Sequence, residues 1–383
     1  RWRRTDGGRS VDIKELAGLY EVPGPVVSLY LDTNAAIENA AQQIELRWRN
    51  VRRDLGERGV DDATLDAIEA VFNRSHGAGP AQVIFASGGS VRYARYLTEP
   101  IQRDHLMVEP LPYVAPLLSW AQLRVPHLVV LVDRAGAEIL AYADAAQPVV
   151  STEVEGSHNE IESVAPGGWS QRRYQQRAED SWERNAEEVA QYVARIAEDL
   201  GARLIVVSGD VRAAHLLADA MPAPQQDLVK LIEEGGGRAA DGSAAVVSDA
   251  VLREVAAVAL AEIEMVLAEF QEERGQRDRA ADGPAATIEA LMMAQVETLL
   301  VHDDPDDTRT AWFGPEPSQL ALERQTLADL GVSDASEARL ADVLIRGAVG
   351  TGARVLIVPE SGTAIPNDGA GAVLRYAAQS VTG

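Results

Sequence analysis

Cysteine is absent from the 383 residues, so the chain builds no disulfide framework, no thiolate zinc site and no cysteine nucleophile. Lysine is nearly absent: Lys14 and Lys230 stand alone, and arginine supplies almost all of the 35 basic residues, set against 59 acidic ones for a net charge of −24. Long apolar runs are missing as well. Pro110–Leu123 and Val255–Leu267 are interrupted by prolines or glutamates and fall short of the roughly 20 residues that a membrane span needs, so no membrane partner is expected. Arg1-Trp2-Arg3-Arg4 is basic, but no apolar core follows it as in a secretory signal, and a cytoplasmic setting is expected. The six histidines, His76, His105, His127, His158, His215 and His302, include no i, i+4 pair, so neither a metal site nor a cofactor is expected. Asp303-Asp304-Pro305-Asp306-Asp307 lacks the glycine and distal glutamate of an EF-hand loop and reads as a solvated acidic turn.

What is present divides into three parts. In residues 1–122, Val26–Leu31 reads as a buried strand. Ile44, Trp48, Val51 and Leu55 fall at i, i+4, i+7 and i+11, one stripe of a helix whose other faces carry Arg47, Arg49, Arg52 and Arg53. Leu65, Ile68 and Phe72 mark a second helix, and Gly88-Gly89 the turn of a hairpin. Four prolines in Leu106–Pro126 predict an irregular crossing. In residues 123–248 a meander of three strands (127–132, 138–142, 149–154) gives way to a polar stretch, Glu155–Asp180. A helix through Ala186–Leu200, a strand at Arg203–Val207 and a helix at Val211–Ala220 follow. Residues 249–383 open with a long helix carrying Leu252, Val255, Ala259, Ile263, Val266 and Phe270, read as bridging two domains. Helices at Ala285–Ala294 and Glu337–Gly347 and strands at Thr298–Val301 and Arg354–Ile357 come next. The fold class is therefore α/β, with three mixed α/β domains.

One segment runs against the charge of the whole. Pro166–Arg177 holds two glycines, two aromatic residues and three arginines with no acid among them. Arginines neutralise phosphates and aromatics stack on bases, which is one reading. Pairing of the arginines with Glu179, Asp180 and Glu183 is the other. Ser208-Gly209-Asp210, where a strand enters a helix, offers either an anion cradle or a simple N-cap.

Gly167-Gly168-Trp169-Ser170 followed by Arg172-Arg173-Tyr174 resembles the Gly-Gly-Gln loop and basic helix start of the archaeal and eukaryotic class I release factors and their relative Pelota. The order of elements over residues 125–383 is similar to that family's middle and C-terminal domains. The whole chain, including Ser28-Leu29-Tyr30-Leu31-Asp32 and Leu374-Arg375-Tyr376-Ala377, resembles the bacterial branch of the superfamily, which includes the Balon-type ribosome hibernation factors. The resemblance implies a release-factor-like arrangement of the three domains. It also implies a protein that binds the A site of idle or stressed ribosomes, touching ribosomal RNA and tRNA, with elongation factor Tu as a partner. The residues it singles out are Gly167, Gly168, Trp169, Gln171, Arg172, Arg173 and Arg177, with Arg49 and Arg53 as a second basic group in the first domain.

Two departures bear on activity. Trp169 stands where the release factors have Gln, which argues against peptidyl-tRNA hydrolysis and hence against an enzyme. Residues 1–122 contain no Asn-Ile-Lys-Ser sequence, so stop-codon reading is not expected. The rival readings are a peptidyl-tRNA hydrolase or rescue factor using the same loop, and a non-ribosomal anion-binding protein built on Ser208-Gly209-Asp210.

Overall fold

The computed structural model describes residues 13–21, 24–33, 40–72, 79–101, 103–133, 136–143, 148–155, 169–232, 243–276, 278–359 and 365–376. Two compact units make it up: residues 123–262, and residues 11–122 together with 263–383. Of the three segments drawn on the sequence, the first and most of the third thus fall in one unit.

That unit begins with α1 (Ile13–Ala17), β1 (Val26–Asp32), α2 (Ala40–Glu57), α3 (Asp62–Phe72), β2 (Ala81–Ser87), β3 (Ser90–Leu97), β4 (His105–Glu109) and α4 (Ala115–Gln122). Its strands form an antiparallel sheet in the order β3-β2-β1-β4. Alternation along β1 sends Val27, Leu29 and Leu31 against the Ile44, Trp48, Val51 and Leu55 stripe of α2 and against α3, while Val26 and Tyr30 join a larger core on the other face. The expected irregular crossing at 106–126 is corrected: most of it is β4 and α4. Pro110 and Pro112 follow the strand instead of breaking it, and Pro116 sits in the first turn of α4, where its missing N–H costs no hydrogen bond.

The smaller unit runs β5 (His127–Val132), β6 (Gly136–Tyr142), β7 (Val150–Glu155), α5 (Trp169–Leu200), β8 (Leu204–Gly209), α6 (Val211–Ala220), α7 (Ala223–Gln226), β9 (Val229–Ile232) and the start of α8 (Ser243–Gln276). Its sheet has the order β7-β6-β5-β8-β9, antiparallel up to β5 and parallel from β5 to β9. Parallel strands must be covered on both faces. Leu128, Val130, Ile205 and Val207 pack on Val189, Val193 and Ala197 of α5 and Leu217 of α6; Val129, Leu204 and Val206 pack on Val247, Val251 and Ala259 of α8. Arg203 holds that second layer, pairing with Glu262 and donating to the Arg124 carbonyl at 2.6 Å.

The predicted start of the long helix moves. Glu155–Asp180 reads as a polar interruption, yet α5 begins at Trp169, because Gln, Arg, Glu and Ala are good helix formers and polarity alone does not end a helix.

The remainder of the larger unit comprises β10 (Ala280–Asp282), α9 (Pro284–Met292), β11 (Val296–Val301), β12 (Thr310–Phe313), β13 (Leu320–Ala321), α10 (Arg324–Asp329), β14 (Ser336–Arg339), α11 (Leu340–Gly350), β15 (Arg354–Ile357) and β16 (Ala370–Leu374). They form two sheets, β10-β16-β11-β15 and β13-β12-β14. Residues 337–339, expected as the start of a helix, belong instead to β14 and pair with β12, and the helix begins at Leu340. Leu299, Val301, Val343, Leu344 and Ala348 share the core that also takes Tyr30, Phe85 and Leu117. Gln122, at the end of α4, completes the join: its side-chain amide donates to the Ile357 carbonyl at 2.8 Å and accepts from the Ile357 N–H at 3.0 Å. It thereby satisfies one residue of the edge strand β15.

A polar cluster lies inside this shared core. The Tyr113 hydroxyl donates to Asp303 Oδ2 at 2.6 Å, and Arg339 reaches Asp303 at 3.0 Å and Asp342 at 3.3 Å while its guanidinium lies 4.7 Å from the Tyr113 ring. Asp303, expected in a solvated turn, is thus a buried partner. One cation serves two carboxylates. Burial pushes the Asp342 carboxyl up to about 7 against the pull of Arg339, and the Asp303 and Glu109 charges add to the rise. The folded state therefore keeps a proton that an unfolded aspartate releases near pH 4. This group's stabilising contribution is full below about pH 4 and is lost as pH rises to about 7. Asp342→Asn, which mimics the protonated form, is expected to melt above wild type at about pH 8 and close to it at about pH 5. Melting curves at the two pH values check this, and a variant less stable at the higher pH would refute it.

Candidate nucleic-acid interface

The basic segment begins the longest helix of the smaller unit. Trp169, Gln171, Arg172, Arg173 and Arg177 all lie within the first nine residues of α5. Trp169, Arg173 and Arg177 stand at i, i+4 and i+8, a spacing that recurs on one face of a helix. Gly167 and Gly168 lie outside the described residues. Further along, Val189, Ala190, Val193, Ala194 and Ala197 are buried against the sheet and α6, so the basic start belongs to a helix whose later turns are fixed by the core.

The arginines of α2 divide into two kinds. Arg52 donates to Asp66 and Glu69 of α3 at 2.7 Å each, and Arg47 donates to the Asp32 carbonyl at 2.5 Å and pairs with Asp104 at 3.4 Å. Both hold the helix to its neighbours. Arg49 and Arg53 are exposed, at 62% and 65%, with pairs to Glu45, Asp54 and Glu57 no closer than 3.4 Å. Arg49 and Arg53 belong to the larger unit and the Trp169–Arg177 segment to the smaller.

The anion cradle at Ser208-Gly209-Asp210 is corrected by geometry. Asp210 Oδ1 accepts from the N–H groups of Arg212 and Ala213 at 3.1 Å each, so the start of α6 already holds the chain's own carboxylate. Gly209 has another duty. Its φ is +131°, and a Cβ there would stand 2.0 Å from the Val132 carbonyl oxygen, so glycine lets β8 end against β5. Asp303 and Asp307 are likewise occupied, by Arg339 and Tyr113 and by Arg309. Of the histidines, burial lowers the pKa of both His105 and His127; His127 stacks on Tyr142 at 4.9 Å.

Arg52 and the Arg49–Arg53 pair should part in thermal melts. Arg52→Ala removes two short ion pairs to α3 and should cost about 1 kcal/mol, whereas Arg49→Ala with Arg53→Ala should stay within about 0.5 kcal/mol of wild type. Equal losses would show that the exposed arginines are also structural.

Residues 126–276 match the model of bacterial archaeo-eukaryotic release factor family 2. Two Mycobacterium tuberculosis proteins, described as uncharacterised, from strains CDC 1551 / Oshkosh and H37Rv, are each 27% identical over 374 residues, covering 97% of this chain and 98% of their own. Solved structures similar to this one include the archaeal translation termination factor aRF1 (17% identity, TM-score 0.26, 96% of this chain and 99% of that one). Archaeoglobus fulgidus Pelota (14%, 0.34, 97% and 93%) and Dom34 of S. cerevisiae (9%, 0.43, 76% and 75%) are also similar. The matched span takes in the sheet of the smaller unit, all of α5 and α8 to its last residue, so it is this part of the chain that is similar to bacterial archaeo-eukaryotic release factor family 2.

Proposed function

We propose that this protein occupies the A site of idle or stressed ribosomes as a binding factor, with Gly167-Gly168-Trp169 directed toward the peptidyl-transferase centre. The match of residues 126–276 to a release-factor family model supports a role connected with translation. The observation that supports the finer reading is the start of α5: within the span similar to release factor family 2, a 32-residue helix begins at Trp169 and bears three arginines in its first nine residues. Helix N-termini and arginines both favour phosphate, and two preceding glycines suit a narrow passage through RNA. Arg49 and Arg53, exposed on α2, form a second phosphate-facing group. Acting there, the protein is cytoplasmic, touches ribosomal RNA and tRNA, and is delivered by elongation factor Tu, as its likeness to the Balon-type factors suggests.

Hydrolysis is not part of this reading. Acyl transfer to water needs a group that positions the water beside the ester carbonyl. Gln offers an amide oxygen for that purpose; Trp169 offers one indole N–H on a ring that fills the water's place.

Sedimentation through a sucrose cushion with ribosomes tests the binding. Arg172→Glu, Arg173→Glu and Arg177→Glu together should weaken co-sedimentation strongly and flatten its salt dependence by a slope of about one unit per lost phosphate contact. Unchanged binding with an unchanged slope would count against α5 as the RNA-facing element. Release of labelled peptide from ribosome-bound peptidyl-tRNA tests the chemistry. Wild type should release none and Trp169→Gln should release it slowly, whereas rapid release by wild type that Gly168→Ala abolishes would make the protein a hydrolase.

A further inference from the structure

The larger unit contains an open cleft of about 730 Å³ between the turn after α1, the end of β4 and the strands β12 and β14. Apolar atoms make up the larger share of its surface, with Tyr20, Pro25, Val108, Pro110, Phe313 and Pro315 among the lining residues. Prolines offer carbonyls but no N–H, so these walls accept hydrogen bonds more readily than they donate them. The Tyr20 hydroxyl is buried and has no hydrogen-bond partner among the described residues.

The charges of the cleft are one-sided. Glu21, Glu109 and Asp334 line it, and none of the three is in an ion pair among the described residues. Its one lining cation, Arg346, is already committed. The Arg346 guanidinium donates to the carbonyls of Gly314 at 2.9 Å, Pro315 at 2.5 Å and Glu316 at 3.1 Å, and lies 5.0 Å from the Phe313 ring. Residues 284–383, which supply that wall, carry a net charge of −8. A nucleic acid or any other polyanion is repelled here.

Strand edges frame the same opening. β4 is the last strand on its side of the sheet β3-β2-β1-β4, and β14 the last of β13-β12-β14. Val108 and Glu109 from the first and Ser336 from the second line the cleft. An extended chain can pair with such an edge while its side chains alternate between the apolar floor and the acidic rim. We propose that this cleft receives an extended, arginine- and lysine-rich segment of a partner protein, its apolar side chains on the prolines and Phe313 and its cations against Glu21, Glu109 and Asp334. The inference does not depend on the ribosomal reading.

The test uses the full chain and fluorescence anisotropy with a pool of labelled decapeptides randomised over Arg, Lys, Leu, Phe and Pro, against a pool in which Asp and Glu replace the basic residues. The basic pool should bind and the acidic pool should not. Glu21→Lys with Asp334→Lys should weaken binding about tenfold, and the charge-matched Asp219→Lys with Asp227→Lys, exposed on the other unit, by less than about twofold. Ser336→Trp, which fills the cleft without changing charge, should also weaken it. No binding of the basic pool up to about 1 mM, or equal weakening by the two charge-matched pairs, would overturn the proposal. So would competition of decauridine RNA for the cleft.

Discussion

Arg339 is the one guanidinium between two carboxylates inside a core that draws its residues from both ends of the chain. Taking charges out of water is costly, and an apolar replacement of similar volume often serves stability as well. What the ionic arrangement adds is direction. Arg339 ends β14, Asp303 follows β11, and Tyr113 belongs to the segment between β4 and α4. The ring under the guanidinium and the hydroxyl on the carboxylate fix these three pieces with hydrogen-bond precision, where apolar packing alone tolerates sliding. The Tyr30 hydroxyl extends the set by donating to the Tyr113 carbonyl at 2.7 Å, and the Tyr113 N–H donates to Ser28 Oγ at 3.0 Å, so β1 is registered to the same point. The cleft walls then inherit their spacing, since β4, β12 and β14 all run into this cluster.

Periodicity made the apolar part of this architecture readable in advance. The α2 stripe, the β5–β7 meander and the β8–α6 step follow from residue spacing, because each buries a face whose repeat is set by backbone geometry. Segments in which local composition and long-range pairing disagree were not readable. Residues 336–339 carry helix-compatible Glu, Ala and Arg, yet pairing with β12 makes them a strand. Asp303 looks like any aspartate of an acidic turn until Arg339 and Tyr113, distant in sequence, close on it. At the basic segment the residue types and the helix that bears them were legible from the resemblance. Composition had hidden that helix inside a polar stretch, and the division of the α2 arginines into structural and exposed pairs required the positions of Asp66 and Glu69 on the next helix.

Charge is distributed by sign. The basic residues of Arg172–Arg177 are gathered at the start of one helix, while the cleft of the larger unit collects carboxylates that make no ion pair among the described residues. A chain of net charge −24 would be repelled by RNA if its charge were spread evenly. Clustering lets each group act on its own surroundings, because at physiological salt a charge acts over only about 8 Å. The net charge therefore says little about whether this protein binds RNA, and the local arrangement says a great deal.

On the reading proposed above, Gly167-Gly168-Trp169 separates two demands that a Gly-Gly-Gln loop meets together. The glycines serve entry, since a backbone without Cβ passes where side chains cannot. The third residue serves chemistry, and there the tolerance is tight, because a misplaced water forfeits much of the gain from orientation. On the same reading, a tryptophan at the first position of α5 keeps a large flat surface of the kind that stacks on bases and lacks the amide oxygen that Gln offers.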